Sequence, residues 1–348
     1  MLKEILKDRK APNLLTREEM LDMLQREEYG YIPKKPDKVT FEVKNNAIPA
    51  FCAGKAKSKR VTITCKIGEK SFSFPMHATI PAKEGKHPFF VLINFRDDVP
   101  DRYLPSEEIL DRGFATLSFC YNDVTSDDND FTNGLAGILY ENGERGDTDA
   151  GKIAMWAWAA QRVLDYAETE ESLDMSRAFV CGHSRLGKTA LLTGAVDERV
   201  KLAYSNDSGC CGAAISRGKI GESVEAITRV FPQWFCKNFY KYADNEDKMP
   251  FDQHYLIACM TPRHAYVASA FEDKWADPDS ELLSCVAASE AYEKEDLVGF
   301  VCEDRLPVID DVYHDGRIGY HLRAGLHYFS REDWNHMIDY VIKHKSEF

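Results

Sequence analysis

Ala178-Phe179-Val180-Cys181-Gly182-His183-Ser184-Arg185-Leu186-Gly187-Lys188-Thr189-Ala190-Leu191-Leu192 is the stretch that decides the fold. Ala178 to Cys181 is an apolar run of the kind found in a short strand buried on both faces. Thr189 to Val196, rich in Ala and Leu, predicts a helix. Ser184 stands at the turn between them. A sharp turn of this kind lifts a hydroxyl out of the sheet, and the helix start turns free N–H groups and the positive end of its dipole toward any oxyanion forming there. The residue two before the serine must be small, because the backbone passes close; Gly182 meets that need. The common elbow also has Gly two after the serine. Here that position is Leu186 and Gly187 comes one later, so the pattern is G-x-S-x-x-G. The bland alternative is an ordinary β–α turn carrying a solvated serine.

Outward from the elbow, strands and helices alternate. Phe89 to Phe95 and Phe114 to Phe119 read as buried strands, with a short helix around Pro105 to Arg112 between them. Ile153 to about Glu168 reads as a helix with Met155, Trp156, Trp158, Ala159, Val163 and Leu164 on its apolar face. Downstream come strands at Leu202 to Asn206 and Ala265 to Ala270, helices at His254 to Cys259 and Ser280 to Tyr292, a last strand after Arg317, and a helix at Arg331 to Lys343. This alternation predicts an α/β fold with a mostly parallel sheet flanked by helices, a three-layer sandwich. Upstream, Leu15 to Glu28 has helical spacing, with Thr16 and Glu19 placed as a capping box. Val61 to Ile67 and Phe72 to Phe74 alternate as antiparallel strands do. With neither repeat nor linker, residues 1–348 are expected to form a single domain with a helical and antiparallel extension at about 1–80. The Asp-, Asn- and Gly-dense run from Asp123 to Asp149 reads as a solvated loop over the strand ends, and it lacks EF-hand spacing.

A serine nucleophile needs a base, and the base needs an acid to orient it. In a strand–elbow–helix architecture the order along the chain is serine, acid, histidine. His327, after Gly325 and before the last helix, has the base's position. Asp273, on the exit loop of the strand ending at Ala270, has the acid's. Asp207, directly after the strand that follows the elbow helix, is its rival; Glu272 and Asp277 are weaker ones, the latter placed to cap a turn before Pro278. Strand alternation points His183 to the side away from Ser184, in a structural role. Lys188, one helical turn beyond Ser184, faces the same mouth or is simply solvated.

The formal net charge of −13 argues against nucleic acid or an anionic membrane as partner. An anionic substrate would need a local positive site. No apolar run is long enough to span a bilayer. The charged start, Met1-Leu2-Lys3-Glu4-Ile5-Leu6-Lys7-Asp8-Arg9-Lys10, has no signal core, so a cytoplasmic location is expected, or secretion if a leader has been removed. The 10 cysteines form no C-x-x-C pair and are expected to be reduced and mostly buried. With neither H-E-x-x-H nor paired cysteine spacing, no metal is expected.

Gly182-His183-Ser184-Arg185-Leu186-Gly187-Lys188 resembles the G-C-S-R-x-G-K elbow of the glucuronoyl esterases, carbohydrate esterase family 15, the bacterial branch above all. The resemblance runs from about Phe89 to the C-terminus. It takes in Asp207-Ser208-Gly209, Gly221-Glu222-Ser223-Val224-Glu225, Trp275 and Gly325-Leu326-His327. It implies an α/β-hydrolase without metal or cofactor that cleaves 4-O-methyl-glucuronoyl esters joining xylan to lignin alcohols. It further implies Ser184 as nucleophile, His327 as base, and Arg185 as oxyanion partner through its N–H and guanidinium. Lys188, Trp275 and Glu225 or Glu222 would hold the sugar. The acid of fungal members maps to Asp207 and that of some bacterial members to Asp273; this chain carries a carboxylate at both. His183 stands where the family has Cys. A guanidinium beside the nucleophile also makes sense by itself, because it stabilises charge that develops only in the transition state. Two other functions remain open: a carbohydrate O-acetyl (acetyl xylan) esterase using the same three residues, and a non-catalytic carbohydrate-binding relative.

Overall fold

Ten strands hydrogen-bond into one sheet in a computed structural model that describes residues 1–348. They are β1 (Lys38–Asn45), β2 (Ala56–Ile67), β3 (Lys70–Pro81), β4 (His87–Asn94), β5 (Ala115–Cys120), β6 (Leu173–His183), β7 (Leu202–Asn206), β8 (His264–Ala270), β9 (Asp311–Tyr313) and β10 (Ile318–Arg323). Across the sheet the order is β1-β2-β3-β5-β4-β6-β7-β8-β10-β9. From β5 to β10 in that order every neighbouring pair is parallel. The first three strands are antiparallel and join the parallel block through β3 and β5; β9 closes the far edge antiparallel to β10.

The helices are α1 (Leu2–Asp8), α2 (Arg17–Leu24), α3 (Ser106–Asp111), α4 (Gly134–Leu139), α5 (Lys152–Ala167), α6 (Arg185–Val196), α7 (Val224–Val230), α8 (His254–Ala258), α9 (Pro278–Glu293) and α10 (Arg331–Lys343). Thr16 caps α2, its hydroxyl accepting from the Glu19 N–H while Glu19 accepts from the Thr16 N–H. Alternate residues of the central strands feed two cores. Phe89, Val91, Ile93, Val180 and Ala203 pack with α5, α6, α8 and α9 on one face. Phe90, Leu92, Phe179, Cys181, Leu202 and Tyr204 pack with α3 and α10 on the other. Strands covered on both sides need apolar residues at every position, which is why they read as unbroken apolar runs. The ten cysteines are all free thiols.

Among the departures from the sequence expectation, two bear on the site. Helix α6 starts at Arg185 rather than Thr189, because Ser184 itself is its first flanking residue. The Asp123–Asp149 run is folded rather than merely solvated. It contains α4 and is tied down by the buried Lys152, whose ammonium donates to the Thr125 hydroxyl at 2.8 Å and the Asp130 carbonyl at 2.7 Å.

Candidate active site

Parallel strands end side by side, so residues just beyond their carboxyl ends converge on one crevice. Ser184 follows β6, Asp207 follows β7, Asp273 follows β8 and His327 follows β10. Ser184, Arg185, Lys188, Asp207, Glu222, Phe231, Trp234, Asp273, Trp275 and His327 all line one cavity of about 300 Å³.

The elbow is sterically demanding. Ser184 has φ 58° and ψ −126°, a conformation that non-glycine residues rarely hold. Its N–H is pinned to the Asn206 carbonyl at 2.8 Å. A Cβ at Gly182 would lie 2.2 Å from the Leu186 carbonyl oxygen, so no larger residue fits there. Gly187 sits against β7 and the turn after it, where a Cβ would meet the Ser205 hydroxyl at 3.0 Å and the Asn206 carbonyl at 3.2 Å. The close approach is therefore made by Gly187, one position later than in the commoner pattern. Because α6 starts at Arg185, the Arg185 N–H has no acceptor four residues back and is free to donate into the cavity.

His327 Nδ1 lies 2.6 Å from Asp273 Oδ2. Burial alone would raise the Asp273 carboxyl, but the hydrogen bond and charge of His327 outweigh it and hold the group below its ordinary range. The loop carrying the histidine is fastened by the other acid of that exit loop. Glu272 accepts the Gly325 N–H, and its own N–H donates to the Gly325 carbonyl at 3.1 Å. Asp277 caps α9 by accepting the Ser280 N–H.

Asp207 is also near His327, within 4.8 Å at the ligand atoms, but it is engaged elsewhere. Its Oδ2 accepts from Arg323 Nη2 and the Tyr328 N–H, both at 3.3 Å. Complete burial, with Asp333 and Glu281 nearby, raises its carboxyl well above the ordinary value despite Arg323. Arg323 is spent mainly on Asp333, to which Nε donates at 2.9 Å to both oxygens.

Arg185 reaches forward over the cavity wall. Its guanidinium pairs with Asp127 and lies 4.7 Å from the Trp234 ring centre and 5.3 Å from that of Phe231. Those two rings are stacked at 4.0 Å. Asp127 also accepts the Trp234 indole N–H at 2.6 Å and the Gln233 amide at 3.2 Å. Nothing in the sequence separates Asp127 from the other acids of its loop; the aromatic spacing of Phe231 and Trp234 was the only available signal.

Lys188 lines the cavity but is 3% exposed, and its ammonium donates to the Ser208 carbonyl at 2.5 Å and the Cys210 carbonyl at 2.6 Å. It is thus neither solvated nor a free cation. Glu222 and the exposed Trp275 line the cavity. Glu225 does not: its carboxylate is paired with Arg229, one turn along α7, at 2.7 Å. Just beyond the end of β4, the Phe95 N–H donates to the Asn94 side-chain oxygen at 2.8 Å.

His183 continues the strand alternation, facing Tyr103 and Phe329 on the same side as Phe179 and Cys181. What the alternation does not show is that the histidine loop folds over that face. The His183 ring centre lies 4.4 Å from that of His327 and 5.1 Å from that of Tyr103, while Nδ1 is 2.6 Å from Asn206 Oδ1. Burial, followed by the neighbouring His327, lowers His183 to about 3, so the ring is a neutral floor under His327.

Known proteins resemble this chain in both sequence and fold. Residues 63–295 match the family model described as glucuronyl esterase, fungi. A carbohydrate esterase from an unknown prokaryotic organism is 40% identical over 242 residues, 68% of this chain and 55% of its own length. A 4-O-methyl-glucuronoyl methylesterase of Podospora anserina is 28% identical over 270 residues, covering 74% of this chain and 51% of its own. This chain thus spans about half the length of these relatives. Among solved structures, a glucuronoyl esterase from Solibacter usitatus superposes with a TM-score of 0.85 at 31% identity, over 94% of this chain and 91% of that one. With the family model matched over 233 of 348 residues, elbow included, the chain belongs to the glucuronyl esterase family.

Proposed function

We propose that this chain is a serine carboxylic-ester hydrolase acting on glucuronoyl or 4-O-methyl-glucuronoyl esters of plant cell-wall carbohydrate, without a cofactor. The observation that carries the reading is the convergence of Ser184, the Asp273–His327 pair and the Arg185 guanidinium on one cavity. The names of the relatives, a 4-O-methyl-glucuronoyl methylesterase and a glucuronoyl esterase among them, support the substrate class.

The chemistry follows from the geometry. Asp273 accepts from Nδ1–H of His327, which leaves the Nε2 lone pair to take the Ser184 proton. Ser184 Oγ attacks the ester carbonyl, and the negative charge collects on the carbonyl oxygen beside the Arg185 N–H and guanidinium. Collapse breaks the C–O bond to the alcohol, which receives the proton from His327 Nε2. Water, deprotonated by the same nitrogen, then attacks the acyl-Ser184 carbonyl and releases the uronic acid with the enzyme's serine restored. Two of the three ammonium N–H bonds of Lys188 are used on carbonyls, which leaves one for a sugar oxygen. Glu222 and Trp275 are placed to meet the sugar; Glu225 would have to leave Arg229 first.

The test compares benzyl glucuronate with an acetylated xyloside, using wild type and Ser184→Ala. Serine-dependent turnover of the glucuronate ester is expected. Serine-dependent turnover of the acetyl ester alone would replace this reading with deacetylation. Turnover of neither would favour a carbohydrate-binding role.

A further inference from the structure

At the opposite end of the sheet from Ser184, three donors meet. His264 opens β8, and His344 and Glu347 follow the last turn of α10. One potential ligand atom from each lies within 4.8 Å of the other two. Glu347 Oε1 is 2.6 Å from His344 Nδ1, and Oε2 is 3.8 Å from His264 Nε2. His264 and His344 are buried; Glu347 is half-exposed.

The hydrogen bonds behind the two rings fix which nitrogens carry protons. The Tyr340 hydroxyl donates to the Gly316 carbonyl at 2.9 Å, so it accepts from His264 Nδ1–H at 2.8 Å. His264 Nε2 is left with its lone pair, buried and without a hydrogen-bond partner. His344 Nε2 faces the His314 carbonyl at 2.7 Å, and a carbonyl can only accept. In the neutral His344 ring, Nδ1 therefore aims a lone pair at the Glu347 carboxylate. Acceptor faces acceptor, which requires a cation between them. A proton would satisfy His344 and Glu347 but leave His264 Nε2 unpaired. A divalent ion would serve all three.

From this convergence we infer that His264 Nε2, His344 Nδ1 and Glu347 form a binding site for a divalent transition metal of the zinc class. Two imidazoles and one carboxylate suit Zn²⁺, and each ring already has the outer hydrogen bond that orients a metal-binding histidine. With metal–ligand distances of about 2.0–2.1 Å, tetrahedral ligands sit about 3.3 Å apart, so side-chain adjustment alone closes the site. Arg317 is the charge that opposes the ion. Its Nη2 holds Glu347 Oε2 at 3.1 Å, which leaves Oε1 to the metal and weakens rather than blocks binding. Water completes the coordination from the half-exposed Glu347 side. Because the donors lie in segments 80 residues apart, no spacing motif reveals them. The ion would pin the end of α10 to the start of β8, remote from the ester site.

The test uses the full chain, untagged and reduced, titrated with Zn²⁺ by calorimetry and with Co²⁺ by visible absorption. One ion per chain is expected, with a Co²⁺ spectrum of low coordination number and a Zn²⁺-dependent rise in Tm. Glu347→Gln and His344→Gln should each weaken binding at least tenfold and remove the Tm rise. Glu347→Gln should keep ester hydrolysis at the wild-type rate, which also shows that it folds. Absence of saturable binding overturns the inference. So does binding that survives both substitutions, or that is lost on His327→Ala, which would place the ion in the catalytic cavity.

Discussion

At the scale of single residues, the cations of the cavity are less free than their positions along the chain suggest. Lys188 occupies a place in the motif that invites a substrate role, yet it spends two N–H bonds on the carbonyls of the turn after β7. Replacing it with Met leaves those buried acceptors without donors, at a cost of about 1–3 kcal/mol. Urea unfolding of Lys188→Met checks this as a lower midpoint at unchanged slope. Arg185 is held by Asp127, which was legible only as one acid among several in a loop. Asp127→Asn keeps the shape and removes the charge that orients the guanidinium. Its kcat should fall by up to about 10²-fold with KM little changed, because the loss is one of alignment at the transition state. Steady-state kinetics on a glucuronate ester separates the two parameters.

At the scale of elements, the elbow was legible because each of its demands is local. An apolar run, a small residue, a serine and an Ala/Leu-rich helix each have a near-neighbour cause. Gly182 shows how tight the requirement is: a Cβ there would sit 2.2 Å from the Leu186 carbonyl. Gly182→Ala should destabilise the protein at the upper end of about 1–3 kcal/mol and displace Ser184, measured as a lower Tm together with lost labelling by a serine-directed phosphonate. What the sequence could not show depends on contacts between distant segments. The stretch Gly221 to Glu225, leading into α7, offers Glu222 and Glu225 with equal plausibility. Only the fold reveals that Glu225 turns back to Arg229 while Glu222 lines the cavity. The short edge strand β9 was equally invisible, since three residues carry no periodicity. Asp273 and Asp207 both follow strands of the parallel block, and only the path of the histidine loop assigns His327 to Asp273.

At the scale of the whole molecule, burial of ionisable groups makes stability depend on pH in opposing ways. His183 is lowered from 6.5 to about 3 by burial and by His327. Above pH 6.5 neither state binds its proton. As pH falls toward 3 only the unfolded chain does, so this contribution is lost on acidification, at up to about 1.4 kcal/mol per pH unit. Burial acts oppositely on Glu28 and Glu281, raised from 4.5 to about 8 and about 7. They keep their protons in the native state, and their contribution fades as pH rises from 4.5. The net profile mixes both signs, so the difference between wild type and His183→Gln isolates the histidine. The stability gap between the two proteins should change with pH between 6.5 and 4, moving in favour of the variant as pH falls, whereas a gap independent of pH would mean that His183 titrates normally. We also propose that the continuous sheet folds as one domain, in line with the absence of any linker along the chain.

We propose that Asp273, not Asp207, orients His327 for attack by Ser184 on a uronate ester. The most direct measurement is kcat for benzyl glucuronate in Asp273→Asn and Asp207→Asn, with Ser184→Ala as the floor. Asp273→Asn should lose about 10³- to 10⁴-fold, as expected when the histidine loses its orienting carboxylate, while Asp207→Asn stays within about tenfold of wild type. Loss of activity in Asp207→Asn with retention in Asp273→Asn would assign the orienting role to Asp207 instead.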